Sequence, residues 1–265
     1  MTPQTTAIRS LISSWHWNRE DFDKQWSYLS CQQNPDNKQG ETIWKTSFKD
    51  VQLIQLPEEL GGYRIALKTY AEKRFFRYLL RPSLACREAE GFRVIESLGI
   101  PVAQVLAFGE KRTVSRLQEA YFITKFEEGT ETLLWFDKHP EEKDNLMKLL
   151  VENIRYLAQM HAAGYVHGGA HPRNFLWKKN ADGVLQSIWI DLASVRRTPG
   201  GRRYWKYILT DLSDFAERFK LDQENLDLLM AEYRKIHNIP TAFRLRHDHS
   251  YKFAEAYRCD TVQSV

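Results

Sequence analysis

Long apolar runs are missing from this chain. Nowhere do about 18 or more apolar residues follow one another, so no segment is expected to cross a bilayer as a helix. Cysteine is scarce. Cys31, Cys86 and Cys259 lie far apart, are odd in number and form no Cys-x-x-Cys, which points to reduced thiols in a cytosolic compartment. A strong excess of one charge is also absent: 38 Lys and Arg face 34 Asp and Glu, a formal balance of +4. Nucleic-acid binders present a strongly basic face, so that class is set aside. A mildly basic surface still suits anionic substrates or an anionic leaflet. Met1 to Ser14 carries Arg9 without the apolar core of a signal peptide, so a cytoplasmic protein is expected. Glycine, finally, is missing from one particular place: none occurs between Thr42 and Leu56.

What is present is enough apolar material, 43% of 265 residues, for one large domain or two small lobes sharing a cleft. Trp15, Phe22, Trp26 and Leu29 fall near helical spacing and predict an amphipathic N-terminal helix, followed by a turn-rich linker from Asn34 to Gly40. Thr42–Phe48 and Val51–Leu56 read as strands joined near Lys49-Asp50, and Gly61-Gly62 turns the chain into a third strand, Tyr63–Tyr70, which carries Lys68. A helix through Phe92, Ile95 and Leu98 is stopped by Gly99-Ile100-Pro101. Val102–Gly109 and Ala120–Phe126 complete an antiparallel sheet of about five strands. From there the chain turns helical. Leu146, Leu149, Leu150, Ile154, Leu157 and Met160 mark a buried stripe, and Leu185–Ile190 is a strand ending at Asp191. Arg196–Arg203 reads as a short basic loop able to grip acidic sugar phosphates through guanidinium groups. Helices from about Lys206 to Phe219 and Asp222 to Ile236 follow, then a polar tail from His247.

The densest chemistry lies in His167-Gly168-Gly169-Ala170-His171-Pro172-Arg173-Asn174-Phe175-Leu176 and in Trp189-Ile190-Asp191-Leu192. Laid without gaps on the protein-kinase loop H-R-D-L-K-P-E-N-I-L, the first stretch keeps the His, the Pro, the Asn and the final Leu. The second occupies the place of D-F-G. Zinc is disfavoured for His161, His167 and His171, because the H-E-x-x-H glutamate is missing and Gly168, Gly169 and Pro172 oppose a helix there.

The order of strand Lys, helix Glu, hinge, H-x-x-x-x-P-x-N loop and strand-borne Asp resembles the bacterial lipopolysaccharide kinase family (Kdo/WaaP/InaA type). Arg87-Glu88 with Glu96–Val102, and Ile190-Asp191-Leu192 with Arg196-Arg197, are typical of it. The resemblance covers roughly residues 42–235. It implies an α+β, two-lobed protein-kinase-like fold: an N-terminal helical extension (1–40), a sheet-rich N-lobe (41–126) and a helical C-lobe (127–265). It also implies ATP and Mg²⁺. Lys68 would meet the phosphates and Glu88 would hold Lys68, with Glu90 the weaker alternative. The hinge around Glu127 would hold adenine through its backbone. Asn174 and Asp191 would bind Mg²⁺. His167 would brace the loop, and Asp211 resembles the helix acid that ties down loop amides. The acceptor implied is a sugar, a heptose, of the lipopolysaccharide core, met by peripheral contact at the cytoplasmic face of the inner membrane.

Two positions depart from the kinase pattern. No glycine-rich loop precedes Lys68, and the catalytic-base Asp falls on Gly169. General-base help is worth about 10²–10⁴-fold, but phosphoryl transfer rests chiefly on positioning and charge neutralisation. His171, with a neutral imidazole near pH 7, is the candidate substitute base. The alternative is a pseudokinase that binds nucleotide and has lost turnover.

Overall fold

The computed structural model describes residues 13–14, 40–46, 49–71, 81–113, 116–132, 136, 138–179, 182–198, 200–216, 219 and 221–240. The expected N-terminal helix, its linker and the tail from His247 lie outside these, apart from Gly40. The chain divides into two compact units: one of residues up to Arg93 with Ala103–Glu127, the other of Val94–Val102 with the chain from Glu128 onward.

The first unit is built on an antiparallel sheet. Its strands are β1 (Ser13–Ser14), β2 (Glu41–Lys45), β3 (Lys49–Gln55), β4 (Arg64–Ala71), β5 (Val105–Thr113) and β6 (Arg116–Lys125), in the order β1-β5-β6-β4-β3-β2. Ile54, Leu56, Ile65, Leu67, Leu106, Ala107, Tyr121 and Ile123 form one buried core, and Val51 and Leu53, at alternate positions of β3, are buried on the other face of the sheet. The β2–β3 hairpin closes without glycine: Thr46 N–H donates to Lys49 O at 2.7 Å and Lys49 N–H to Thr46 Oγ1 at 3.0 Å. A threonine hydroxyl can do this because it supplies a local acceptor to the turn.

Helix α1 (Leu84–Ser97) packs Phe92 on Phe122 of β6, ring centroids 5.1 Å apart. Ser83 starts it, its Oγ accepting from Cys86 N–H at 3.2 Å. Gly99, at φ 73°, ends it: Ile100 N–H reaches back to Ile95 O at 3.3 Å.

The second unit carries α2 (Lys143–Ala162), α3 (Arg202–Ala216) and α4 (Gln223–Arg234), with α4 capped by Asp222, whose carboxylate accepts from Asn225 N–H at 2.9 Å. The apolar stripe of α2 buries Leu149, Leu150, Ile154, Leu157 and Met160. Small strands accompany the helices. β7 (Thr130–Glu131), β9 (Phe175–Lys179) and β10 (Leu185–Trp189) form one sheet, and β8 (Tyr165–Val166) pairs with β11 (Arg196–Arg197).

Three expectations are corrected here. The strand expected from Val102 begins at Val105, while Val102 bridges to Trp189 instead. The basic stretch 196–203 is not one loop, because the backbones of Arg196 and Arg197 pair with Val166 and Tyr165, and helix α3 already begins at Arg202. Between the hinge and the strand expected at Leu185–Ile190 the chain is not purely helix and loop, β7 and β9 being strands there. No helix among the described residues is long and apolar enough to cross a membrane.

Candidate functional site

In the first unit Lys68 lies on the central strand β4, flanked by β3 and β6, with Val51 and Phe122 as its cross-strand partners. Its ammonium forms an ion pair with Glu88 Oε1 and stands 5.8 Å from the Phe122 ring centroid. Glu88 is fully buried on α1, whereas Glu90 is exposed and pairs with Arg93 at 2.9 Å. Residues two apart on a helix do not share a face, which is why only one of the two acids can turn to β4. Tyr70, two residues beyond Lys68, donates its hydroxyl to Glu88 Oε2. Glu127, half-buried, follows Phe126, whose N–H donates to Arg64 O at 2.9 Å and whose ring carries the Arg64 guanidinium at 4.4 Å.

In the second unit the β9–β10 ladder runs on to set Asn174 opposite Ile190, the residue before Asp191. Trp189 pairs with Phe175, and one step further Ile190 N–H donates to Asn174 O at 2.9 Å. Asn174 Nδ2 donates to Gly169 O at 2.9 Å, so its amide oxygen is the atom left to face a ligand. Asp191 adopts φ 58°. The donor set, one amide oxygen and one carboxylate on adjacent backbone, is hard and anionic, which fits Mg²⁺. His171, half-buried, precedes the turn and accepts from Asn174 N–H at 2.8 Å through its carbonyl.

Asp211 of α3 fixes the loop from below. Its Oδ2 accepts from His167 N–H at 2.6 Å and its Oδ1 from Gly168 N–H at 2.8 Å. Burial alone would raise its pKa, but the His161 hydrogen bond and the neighbouring imidazoles and amide hold the carboxyl below its ordinary value. A buried carboxylate only accepts, so His161 Nε2 carries the proton that meets Asp211 Oδ2 at 3.1 Å, and His161 Nδ1 shares a hydrogen bond of 2.7 Å with the Tyr233 hydroxyl. His167 itself is fully buried between Phe175 and Trp189, ring centroids 5.8 and 5.4 Å away. Burial pushes its imidazole below the usual histidine pKa, against the pull of Asp211 and Asp191, and neither ring nitrogen has a hydrogen-bond partner among the described residues.

These parts occur in the order and on the elements of a kinase, and the comparisons agree. A model of the lipopolysaccharide kinase (Kdo/WaaP) family matches residues 63–233, well over half of the chain. The chain belongs to that family. The mitogen-activated protein kinase HOG1 of Eremothecium gossypii is 26% identical over 118 residues, 44% of this chain and only 21% of that kinase. Among solved structures, WaaP in complex with acyl carrier protein aligns at a TM-score of 0.60 and 17% identity, covering 81% of this chain and 86% of that one. At that identity the likeness is one of fold: the α+β, protein-kinase-like architecture.

Within this Kdo/WaaP-family chain the two loop glycines differ in what surrounds them. A Cβ on Gly168, at φ 71°, would stand 2.7 Å from Arg196 Nη1 and 3.1 Å from Ser194 O. The guanidinium thus fills the space a side chain at 168 would take. It donates to Ser194 O at 3.1 Å and lies 4.4 Å from the Tyr207 ring centroid. Gly169, at φ 158°, faces open space. Residue pattern alone assigns no role to Tyr70, Tyr233 or the Gly168–Arg196 contact, and brings up His161 only as a disfavoured zinc ligand. The i, i+2 spacing of Lys68 and Tyr70 on a strand was the one available signal, since such residues share a face.

Proposed function

We propose that this chain is an ATP- and Mg²⁺-dependent kinase that phosphorylates a sugar hydroxyl, a heptose, of the lipopolysaccharide core. The observation that carries the reading is the Lys68–Glu88 ion pair, with the acid fully buried and the lysine side chain 12% exposed. Burying a charge is costly unless it is paired, and a paired, nearly buried ammonium has an evident use in meeting phosphate. Lys68 would neutralise ATP phosphates, held by Glu88, with the backbone about Glu127 against adenine. Asn174 and Asp191 would hold Mg²⁺, which supplies charge neutralisation on the phosphates when bound. His171 would accept the sugar-hydroxyl proton in place of the missing base. Family membership favours lipopolysaccharide as the acceptor. The work would then lie at the cytoplasmic face of the inner membrane, through peripheral contact. Acyl carrier protein, which accompanies the solved WaaP, is the protein partner to test, by co-purification.

Gly169 favours a second reading, a pseudokinase that binds Mg·ATP without efficient transfer. One experiment separates the two: transfer of labelled γ-phosphate from ATP to purified lipopolysaccharide core with Mg²⁺, for the native chain and for Asp191→Asn. Label on the sugar that is lost in the variant supports the kinase. No label, with Mg·ATP still raising the melting temperature of the native chain alone, supports the pseudokinase. Neither response would leave both readings without support.

A further inference from the structure

The Glu88 carboxylate has two oxygens and each is occupied by a different residue of one strand. Lys68 Nζ takes Oε1 and the Tyr70 hydroxyl takes Oε2. Lys68 and Tyr70 are two apart on β4, so they share the face turned to α1. The three groups are nearly or fully dry: Tyr70 is 4% exposed and Glu88 0%. The lysine is the mobile member, with four rotatable bonds ending in a point charge. A carboxylate gripped by that ammonium alone is free to swivel, and the ammonium follows it. A phenol has two torsions, and the Tyr70 ring is locked by burial on strand β4, opposite Ala120 of β6 and Lys49 of β3, whose ammonium stands 6.0 Å from the ring centroid. It therefore fixes the second oxygen and with it the plane of the carboxylate.

We propose that Tyr70 is a positioning residue: it sets the orientation of Glu88 and, through Glu88, the place of the Lys68 ammonium. The proposal rests on the reading of Lys68 as a phosphate-binding group, and deepens it. Removing the hydroxyl leaves a buried carboxylate oxygen without its donor and leaves the ring packing intact, so Tyr70→Phe isolates the effect.

Two measurements test it, one of which needs no nucleotide. Lysines are labelled competitively with acetic anhydride and their rates compared by peptide mass spectrometry. Tyr70→Phe is expected to raise the rate at Lys68 several-fold while leaving Lys178, in the other unit, unchanged. An unchanged Lys68, or a rise shared by every lysine, overturns the proposal, the latter because it reports general loosening. In the second measurement, Mg·ATP affinity is followed calorimetrically in a double-mutant cycle with Lys68→Met. Tyr70→Phe is expected to weaken binding about tenfold in the native background, the scale of one hydrogen bond to a charged group, and to have no effect once Lys68 is gone. Equal weakening in both backgrounds overturns the positioning role. If native chain binds no Mg·ATP but Lys68 labelling still responds, the nucleotide reading falls and the Tyr70–Glu88–Lys68 coupling stands.

Discussion

Asp191 is the one non-glycine residue with positive φ among those described, at 58°. Asp and Asn tolerate that region, where other side chains pay roughly 1–2 kcal/mol. Asp191→Asn is therefore expected to abolish phosphoryl transfer with a thermal midpoint close to native, whereas Asp191→Ala loses transfer and about 1 kcal/mol more stability, read by urea unfolding. Equal stability of the two variants would refute the backbone argument. His167 makes a second prediction at this scale. Its folded pKa lies below its usual 6.5 because it is buried. Between the folded value and 6.5 the unfolded chain binds a proton that the native chain refuses, so stability falls as pH falls through that window, by at most about 1.4 kcal/mol per pH unit for one proton. His237, also held low by burial, acts in the same direction. Asp211 acts with the usual carboxylate sign, losing its contribution only as pH drops through a folded value below 3.8. His167→Phe, which keeps an aromatic ring against Phe175 and Trp189 and forfeits no side-chain hydrogen bond among the described residues, is expected to flatten the slope between pH 7 and 5. An unaltered slope in urea titrations at several pH values would assign the acid sensitivity elsewhere.

At the level of elements, the strand that delivers Asp191 is held by two neighbouring polar side chains of α2, Glu152, which accepts from Ser187 N–H at 3.2 Å, and Asn153. Asn153 Oδ1 accepts from the Ser187 hydroxyl and from Trp189 Nε1, each at 2.7 Å, while its Nδ2 donates to Leu149 O at 2.9 Å. Asn153→Leu leaves the Trp189 indole N–H without this acceptor and the Ser187 hydroxyl with only Leu176 O at 3.5 Å, at a cost of about 1–3 kcal/mol each. A loss of about 2–5 kcal/mol in urea unfolding is expected, part of it recovered by adding Ser187→Ala; a loss under 1 kcal/mol would show the network to be dispensable. The sequence made these two elements legible because α2 repeats its apolar residues at helical spacing and β10 is a compact apolar run. It did not reveal β7, β8 and β11, since a two-residue strand has no period to detect. Phe175–Lys179 has the alternation of a strand, buried at 175 and 177, but sits directly after the loop pattern. Nor could spacing reveal Tyr233 against His161, residues 72 positions apart joined only by the fold.

The whole molecule is not two consecutive halves. Val94–Val102 belongs with the unit that otherwise begins at Glu128. There Trp189 N–H donates to Pro101 O at 2.9 Å and Gln159 Nε2 to Leu98 O at 2.5 Å. A fragment of residues 128–265 is thus expected to lack cooperative urea unfolding and a native near-ultraviolet spectrum, with fragment 94–265 closer to native in both. A cooperative 128–265 fragment would contradict this.

The guanidinium of Arg196, lodged in the space left by the absent side chain of Gly168, has a consequence for heredity as well as for shape. The two positions form one inherited trait divided between distant codons. Among relatives, any gain of bulk at 168 should be accompanied by the retreat of arginine from 196, and lineages retaining one member of the pair should retain the other.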